Sequence, residues 1–488
     1  MKKISIFVFI LSMSFCANAA VNQIRWGTAT DLLNGLTITW SNTGNSDSIA
    51  WGYTTALEMG HFSGTGRSGY STPKFFAYKF PTVLADTNIY YKIWNSATAS
   101  WDAQRTYRTA PNPASRKFSF AALGDCRTSP SVLTSISNYV AARKPALSLF
   151  NGDLTLSGTS PTEYNTFFSA ASTFLEQSLV LHAEGNHDAA SPVTFSNMWD
   201  LPITNGSNLY YSVRYGHTLF ITINSCDPTN TTMRSWLHTT LAAAETDATI
   251  VWKIVSFHHP FFNIGAHQGD MDAYRSSIWK EFDDHGVDIV FNGHDHNYQR
   301  SKPINLNAST SAPVASFGSA SGQGRLQIIS GGAGASLYTQ GSNADAWAMN
   351  IFNSTYNYVY CDVDGCVLKV SAYNSSNSLI DSITLNKTGS SSCNTSEVHA
   401  TYKTIVNPMS IYPNPASQSF TLKYSAESTG EANIIITDEK GKRVFAEKVN
   451  KTDAVLEYKH DVSRLAKGIY NVSVELSGQK DGGILIVH

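Results

Sequence analysis

The sequence predicts a multidomain chain with an N-terminal β-sandwich, a central layered α/β domain of the αββα type and a C-terminal β-sandwich. Its 488 residues exceed what one hydrophobic core normally supports. Short alternating strands between turn residues occur near both ends, whereas apolar strands alternate with helices in the middle. A Ser-rich linker, 389–405, separates the middle part from the last one.

A secretory signal peptide is predicted at 1–19. Lys2 and Lys3 form a basic start, an apolar run follows at 4–15, and the small residues at 17–19 form a cleavage site. The apolar run is too short to span a bilayer, and no other long apolar run follows it. We therefore expect Sec-dependent export of a chain that has no transmembrane segment.

The first predicted β-sandwich covers 21–111. Apolar and polar residues alternate at 36–40 and 89–93, and turn residues separate such runs at spacings typical of a sandwich. Trp40 is expected in the core. This segment resembles a fibronectin type III domain, and it contains no group of catalytic residues.

The central α/β domain is predicted at 117–388. Ser160 is expected to cap a helix, because Pro161 follows it and Glu163 completes a capping box. Another helix is expected at 131–142. The predicted strands are 118–123, 146–150, 179–183, 250–257, 287–291, 325–330, 358–370 and 379–385.

The last part, 406–488, is predicted to be a β-rich domain. It begins with Ile-Tyr-Pro-Asn-Pro at 411–415, contains Lys-Gly-Ile-Tyr at 467–470 and ends with Gly-Ile-Leu-Ile-Val at 483–487. This ordered set resembles the C-terminal sorting domain of the type IX secretion system of Bacteroidetes. The resemblance implies that this machinery is a partner of the chain, and that the chain is secreted or held on the outer surface of a Gram-negative cell.

Charge and cysteine content exclude two broad classes of protein. The formal net charge is −2 and Lys and Arg form no cluster, so the chain lacks the basic surface of nucleic-acid-binding proteins. Six cysteines in 488 residues are too few for a disulfide scaffold. Cys361 and Cys366 flank a hairpin turn sequence, and they either pair across it or are free buried thiols.

Five predicted strands of the central domain end in polar clusters that are rich in potential metal ligands. In α/β sheets, ligands bind beyond the carboxyl ends of the strands, so the five clusters are expected to meet. His294 and His296 point the same way if their backbone is extended. One such cluster is common in turns, but five in succession indicate a metal site. The clusters are Gly124-Asp125, Gly152-Asp153, Gly185-Asn186-His187-Asp188, His258-His259 and Gly293-His294-Asp295-His296.

This ordered set resembles the calcineurin-like metallophosphoesterases, and most closely the purple acid phosphatases, which also carry a fibronectin-like domain before the catalytic one. The resemblance covers about 21–385 and is longest at 286–300, GVDIVFNGHDHNYQR. It implies that six side chains hold two metal ions. These are Asp125 and His296 at the first ion, Asp153 between the ions, and Asn186, His258 and His294 at the second ion.

The resemblance also implies which residues act on the substrate. His187 matches a His that contacts the phosphate without binding metal, and Asp188 is expected to orient it. His267 and, less closely, His259 match substrate-binding histidines. A protonated His187 or His267 would give a proton to the leaving oxygen.

The implied activity is hydrolysis of small phosphate monoesters by attack of a metal-bridged hydroxide. Carboxylate, amide and imidazole ligands suit iron, manganese or zinc. Two alternatives stay open at this stage. One is a secreted nucleotidase or phosphodiesterase of the same superfamily, and the other is a catalytically inactive surface adhesin or binding protein.

Two positions depart from the purple acid phosphatase pattern. Leu156 stands where those enzymes have a metal-binding Tyr, and Arg127 stands where relatives have Gly or His. The first ion is therefore expected to have fewer protein ligands, to exchange more readily and not to be ferric. Arg127 either reaches the phosphate with its guanidinium group or is a solvated loop residue.

Overall fold

A computed structural model describes most of the chain. The predicted signal peptide and much of the predicted linker lie outside the described residues. The described residues are 22–29, 31–42, 48–67, 74–96, 98–111, 115–191, 197–319, 322–341, 344–388, 397–403, 409–414, 416–426, 428–438, 441–453, 455–477 and 479–487.

The chain forms two compact units. The first runs through Asn377 and also contains Ile383–Tyr402, and the second contains Ser378–Ser382 and Lys403–His488. The predicted N-terminal sandwich and the predicted central domain therefore lie in one compact unit.

The N-terminal part of the first unit is a β-sandwich, as predicted. Its strands are β1 (Asn22–Thr28), β2 (Leu36–Asn42), β3 (Ser48–Gly52), β4 (Gly60–Ser63), β5 (Thr65–Arg67), β6 (Lys74–Lys79), β7 (Asn88–Asn95), β8 (Ser100–Trp101) and β9 (Arg105–Arg108). One layer contains β1, β2, β6 and β5, and the other contains β4, β3 and β7, with β8 and β9 paired to β7. Trp40 is fully buried in a core that also contains Trp26 and Trp51, as predicted. The specific resemblance to fibronectin type III stays a prediction.

The central part combines strands and helices in alternation, as predicted. Its strands are β10 (Lys117–Leu123), β11 (Leu147–Phe150), β12 (Leu179–His182), β13 (Tyr211–Tyr215), β14 (Thr218–Thr222), β15 (Trp252–Ser256), β16 (Ile289–Asn292), β17 (Tyr298–Ser301), β18 (Leu326–Ser330), β19 (Met349–Asn353), β20 (Asn357–Asp364), β21 (Val367–Asn374), β22 (Leu379–Thr388) and β23 (Glu397–Lys403). The α-helices that lie wholly within its described residues are α1 (Pro130–Arg143), α2 (Pro161–Leu175), α3 (Thr231–Thr246) and α4 (Lys280–Asp284). Short helical turns of other types lie at Asp188–Ala190, Asp272–Tyr274 and Arg275–Trp279.

Two mixed sheets face each other in the central part. In the first sheet, β10, β11 and β12 are parallel and β20 lies antiparallel to β10. In the second sheet, β14, β15, β16 and β18 are parallel. The ring of Phe120 in the first sheet packs edge-on against Phe220 and Phe291 of the second sheet. Aromatic side chains therefore fill the space between the sheets.

Helices cover the outer faces of both sheets. Phe167 of α2 packs on Phe150 of β11, and α1 packs beside α2. On the other side, Leu237 of α3 and Phe282 of α4 share a buried cluster with Val255 of β15. The order helix, sheet, sheet, helix is the predicted αββα arrangement.

The cap of α2 also fixes the loop that follows β11. Ser160 Oγ accepts a hydrogen bond from the N–H of Glu163 at 3.4 Å, as the sequence predicts. The Glu163 carboxylate, however, accepts from the N–H groups of Leu156 at 2.6 Å and Ser157 at 2.9 Å. The first turn of α2 therefore anchors the chain just beyond Asp153.

The N-terminal sandwich continues the first central sheet, a pairing that no local sequence pattern predicts. β1 pairs in parallel with β12, with Trp26 opposite Leu179, and the sheet order runs β23-β22-β21-β20-β10-β11-β12-β1-β2-β6-β5. Trp26 Nε1 donates to the carbonyl of Glu176 at 3.1 Å, and Tyr91 Oη donates to the same carbonyl at 3.2 Å. Arg105 Nε also bonds the Glu176 carboxylate at 2.9 Å.

The second unit is a small β-sandwich, as predicted. Its strands are β24 (Met409–Tyr412), β25 (Ser419–Ser425), β26 (Gly430–Asp438), β27 (Arg443–Lys451), β28 (Val455–Asp461), β29 (Gly468–Leu476) and β30 (Gln479–Val487). One sheet has the order β24-β25-β28 and the other β27-β26-β29-β30. Phe420, Leu422, Ile434 and Val472 are fully buried between them.

The hairpin of β20 and β21 decides the cysteine alternatives. Gly365 lies in its turn with a φ of +61°. Cys361 is a free buried thiol, whereas Cys366 is disulfide-bonded, so the two do not pair across the turn. Within the described part of the chain, none of the helices combines the length and hydropathy needed to cross a membrane.

The pairing of β1 with β12 predicts that the N-terminal sandwich and the central part unfold together in one cooperative transition. Trp26→Ala removes a side chain that is 1% exposed, and such truncations cost about 3–5 kcal/mol. We expect the unfolding midpoint of the whole first unit to fall, as followed by tryptophan fluorescence in denaturant. Trp101→Ala, at a partly exposed position, should cost clearly less. A separate early transition for the N-terminal sandwich alone would contradict the prediction.

Candidate metal centre

The five predicted clusters meet at one edge of the two central sheets. Asp125, Asp153 and Asn186 follow β10, β11 and β12, whose carboxyl ends point the same way because these strands are parallel. His258 and His294 follow β15 and β16, which are parallel in the second sheet. Ligand atoms of Asp125, Asp153 and His258 lie within 4.8 Å of one another. Side chains from both sheets therefore share one site.

The backbone at this edge is strained and tightly packed. Asp125, Asp153 and His294 have positive φ angles of 60°, 58° and 69°, which are uncommon for residues other than glycine and cluster at functional sites. A Cβ atom on Gly293 would lie 2.3 Å from Asp125 Oδ2, and one on Gly185 would lie 2.2 Å from Asp153 Oδ1. The absence of side chains at these two glycines lets the carboxylates enter the site.

Asp125 and Asp153 are buried and only partly hydrogen-bonded. Asp125 Oδ2 accepts from the N–H of His294 at 2.9 Å, and Asp153 Oδ1 accepts from the N–H of His187 at 3.0 Å. Among the described residues, Asp125 Oδ1 and Asp153 Oδ2 have no hydrogen-bond donor. Burial raises the pKa of both carboxyl groups, and the charge of Asp153 raises that of Asp125 further. Two such carboxylates need a nearby cation in order to stay ionised.

Two histidines present lone pairs to each other. His258 Nδ1 donates to the carbonyl of Asn151 at 2.8 Å, and His294 Nε2 donates to Asp270 Oδ2 at 3.0 Å. A neutral imidazole carries one N–H, so His258 Nε2 and His294 Nδ1 are unprotonated. These two nitrogen atoms are 3.2 Å apart. Burial lowers the pKa of His258 to about 3, and also lowers that of His294, which keeps both rings neutral.

Other acceptor atoms surround the same point. His258 Nε2 lies 2.8 Å from Asn186 Oδ1 and 3.4 Å from Asp153 Oδ1. Facing lone pairs repel one another unless a cation lies between them. An amide oxygen, a carboxylate and two imidazoles suit a first-row transition metal ion. The residues predicted for the second ion therefore fit a metal.

Arg127 lies among the residues predicted for the first ion. His296 Nδ1 donates to the carbonyl of Ser336 at 2.7 Å, so Nε2 of the neutral ring is unprotonated and can accept a hydrogen bond. Arg127 Nη2 donates to that Nε2 at 2.7 Å, and Arg127 Nε lies 3.5 Å from Asp153 Oδ2. The Arg127 side chain is only 9% exposed, which excludes a solvated loop residue. Asp125, Asp153 and His296 fit a metal ion, but the positive charge of this guanidinium group already lies beside them.

The groups that contact the His187 ring differ from the predicted one. Its Nδ1 donates to the carbonyl of Leu156 at 2.7 Å, and its Nε2 contacts Arg127 Nη1. Asp188 was expected to orient this ring. Instead, its carboxylate accepts from the backbone N–H groups of Asp153 at 2.8 Å, Leu154 at 3.1 Å and Gly185 at 3.2 Å. Asp188 therefore fixes the loops that carry the predicted ligands and does not bind the His187 ring. Leu156 contributes its carbonyl, while its side chain is exposed.

The two remaining predicted histidines flank His294. The rings of His259 and His267 lie 4.3 Å and 4.2 Å from the His294 ring, measured between centroids. His259 Nδ1 lies 2.9 Å from Ser225 Oγ, and burial lowers the pKa of His259 to about 3. His267 is 37% exposed and therefore faces the opening of the site.

Two residues of the site were missed in the sequence. Asp270 accepts a hydrogen bond from His294 Nε2, which fixes the tautomer of that ring, and it lies 3.7 Å from His267 Nδ1. Its place three residues after His267 was the one available signal. Tyr338 stacks on the His296 ring at 4.0 Å and lies 5.3 Å from the His267 ring. It follows a Gly-rich turn with no pattern that marks it.

Comparison with known families agrees with this geometry. Residues 118–298 match the calcineurin-like phosphoesterase family, and residues 410–487 match the secretion system C-terminal sorting domain. The central part therefore has the metallophosphoesterase fold, and the last part is similar to a secretion sorting domain. More particularly, the central part is similar in sequence to the purple acid phosphatases.

Three proteins illustrate this similarity. Purple acid phosphatase 18 of Arabidopsis thaliana is 27% identical over 234 residues, which cover 45% of this chain and 52% of that protein. Purple acid phosphatase 22 of the same plant is 25% identical over 260 residues, which cover 50% and 58%. The chain thus spans about half the length of these curated relatives. A purple acid phosphatase from yellow lupin (Lupinus luteus) seeds has the same fold, with a TM-score of 0.62, 16% identity and coverage of 75% of this chain and 74% of that one.

The position of Arg127 predicts weak binding of the first ion. Arg127→Gly should tighten that binding about tenfold or more, because unit charges 4 Å apart repel by about 1 kcal/mol in water and about 4 kcal/mol at an effective dielectric of 20. Equilibrium dialysis with elemental analysis measures both affinities. Arg127→Lys keeps the charge and should leave the first ion weakly bound. Equal affinities in wild type and Arg127→Gly would disprove the competition.

Proposed function

We propose that this chain hydrolyses phosphate monoesters at a centre of two metal ions. The observation that carries the proposal is the convergence of buried acceptors that lack a hydrogen-bond donor among the described residues: Asp125 Oδ1, Asp153 Oδ2 and the facing nitrogen atoms of His258 and His294. Homology to purple acid phosphatases supports the same reaction. Buried carboxylates held by strained backbone are typical of active sites and of ligand-binding sites.

The ions would be held by the six residues that the resemblance implies. Asp125 and His296 would bind the first ion, Asp153 would lie between the ions, and Asn186, His258 and His294 would bind the second. When bound, such a pair supplies Lewis-acid stabilisation of the phosphoryl oxygens and activates water for attack. Iron, manganese and zinc all suit these ligands.

Arg127 and His187 would bind the phosphate group. The guanidinium group of Arg127 is planar and carries several N–H donors, so it can bind two phosphate oxygens at once. His187 adjoins it and donates from Nδ1 to the Leu156 carbonyl, so its doubly protonated ring would be the form that also donates from Nε2 to a phosphate oxygen. A monoester carries two negative charges near neutral pH, and these two groups would offset the second charge.

His267 would supply the proton to the leaving oxygen. It is the more exposed of the two flanking histidines, and its Nδ1 lies 3.7 Å from the Asp270 carboxylate. With that carboxylate beside Nδ1, a proton on Nε2 could pass to the departing alkoxide. His259 is held by Ser225 at the buried side of His294, so it would position that ring and contact the phosphate less directly.

The sorting domain indicates export through the type IX secretion system. The finer proposal is that the predicted signal peptide at 1–19 first directs the chain through the Sec pathway. The enzyme would then act outside the cell or on its outer surface, on small phosphate esters in the surroundings. Residues 1–19 lie outside the described residues.

Loss of one metal ligand tests the proposed activity. His294→Ala should lower the rate on a chromogenic phosphomonoester roughly 100-fold or more, since even residues that only support metal ligands cost 10–100-fold. His61→Ala, an exposed change in the N-terminal sandwich, should leave the rate unchanged. Removal of metal with a chelator should abolish activity, and added manganese or zinc should restore it.

The same assay separates the alternatives. The proposal expects faster hydrolysis of the monoester than of its bis-ester. A faster bis-ester reaction would favour a phosphodiesterase. Absence of both activities in wild-type protein supplied with iron, manganese or zinc would favour the inactive binding protein.

The iron-loaded protein should be colourless. Leu156 has no phenol group, and its side chain is 51% exposed and turned to solvent. The ligand-to-metal charge-transfer band of a tyrosinate bound to ferric ion should therefore be missing from the visible absorption spectrum. A strong violet colour would show that another phenol, such as that of Tyr338, binds the ion.

A further inference from the structure

A second cluster of metal-binding side chains lies where α3 meets α4. His238 of α3 faces Glu281 of α4 and His285, the residue that follows α4. None of these residues belongs to the candidate metal centre. The cluster therefore needs its own explanation, which is independent of the proposed phosphatase activity.

The three ligand atoms form a small triangle. His238 Nδ1 lies 2.9 Å from Glu281 Oε2 and 3.3 Å from His285 Nε2, and the third side, from His285 Nε2 to Glu281 Oε2, is 3.3 Å. Zinc binds nitrogen and carboxylate oxygen at about 2.0–2.2 Å in a tetrahedron, whose ligands are then about 3.3–3.5 Å apart. The two sides that meet at His285 Nε2, 3.3 Å each, match the edges of such a tetrahedron, and the side from His238 to Glu281 is shorter, at 2.9 Å.

Local structure brings these atoms together. Glu281 and His285 are at positions i and i+4, so they lie on the same face of one helical turn. α3 and α4 share a buried apolar cluster, in which Leu241 and Phe282 take part. This packing places His238 opposite the Glu281–His285 pair.

A second carboxylate, that of Glu245, lies beside the ring nitrogen of His285 that points away from the triangle. Glu245 Oε2 lies 3.1 Å from His285 Nδ1, which is an ion-pair distance without hydrogen-bond alignment, while His285 Nε2 points into the triangle. Metal-bound histidines usually direct their other ring nitrogen to a carboxylate or carbonyl, which fixes the ring and the tautomer. Glu245 and Glu281 together also balance the charge of a divalent ion.

The fourth position of the tetrahedron is open to solvent. The side chain of His238 is 57% exposed, that of Glu281 27% and that of His285 11%. A groove lined by His238, Glu281 and Ser277 adjoins the cluster and leaves room for water. Three protein ligands with an open position are compatible with zinc.

We propose that His238, Glu281 and His285 bind a zinc ion that joins α3 to α4, with Glu245 positioning His285. These helices cover the second sheet, in which His258 and His294 follow strands β15 and β16. The ion would therefore stabilise the layer that supports the candidate metal centre. Because zinc binds the folded state, it raises the unfolding midpoint by an amount that grows with the logarithm of its affinity.

The test isolates this cluster from the catalytic ligands. In full-length protein that carries His294→Ala, metal is removed with a chelator and zinc is titrated by calorimetry, with elemental analysis of the product. Adding His238→Ala and His285→Ala should remove one bound zinc per chain and the zinc-dependent shift of the unfolding midpoint. An equal zinc content with and without these two changes would overturn the proposal.

Two further measurements exclude indirect effects. Glu245→Gln should weaken zinc binding about 10–100-fold without removing a ligand, and unchanged affinity would contradict the role of Glu245. Cobalt(II) bound to the His294→Ala protein should give an intense tetrahedral absorption spectrum that is lost with His238→Ala. A spectrum that persists would assign the ion elsewhere. Failure of the proposed phosphatase activity would not affect either measurement.

Discussion

The burial of Asp125 and Asp153 beside each other is the constraint on which the site depends. Moving an ionised carboxylate from water into a protein interior costs several kcal/mol, and a like charge nearby adds to this cost. Each carboxylate also leaves one oxygen without a donor among the described residues. Only positive charge at the same point makes the arrangement stable in its ionised form. The two sheets thus position a pair of negative charges that a metal ion, helped by Arg127, can neutralise.

The backbone around the carboxylates is fixed by groups that never touch the substrate. Asp188 holds the N–H groups of Asp153, Leu154 and Gly185, which joins the loops after β11 and β12. Glu163 holds the chain at Leu156 from the first turn of α2. Such multiple bonds to one carboxylate compensate for the positive φ angles at the strand ends. The hydrogen bonds to Asp188 and Glu163 therefore offset the backbone strain that positions the ligands.

The sequence predicts the parts of this structure that depend on local signals. Strand periodicity, the Ser160 cap and the polar clusters after the strands identify the layers and bring the predicted ligands to one edge. Contacts between residues far apart in sequence carry no such signal. The joint of Trp26 with Leu179, the bond of Arg127 to His296 and the support of His294 by Asp270 each depend on packing that no local pattern encodes. Asp188 was recognised, but which hydrogen bonds it makes depends on the loop geometry.

The two halves of the proposed two-ion centre differ in charge, and this difference would order their assembly. The second-ion half offers Asn186, His258 and His294 with free lone pairs, whereas the first-ion half already contains the Arg127 guanidinium group. A metal ion therefore meets less repulsion in the second-ion half and should fill it first. A bound phosphate group would draw Arg127 toward its own oxygens and reduce the repulsion that the first ion meets. By thermodynamic linkage, the first ion and the substrate would then strengthen each other's binding by the same factor. An arginine in place of Gly or His would thus make the occupancy of the first site depend on substrate.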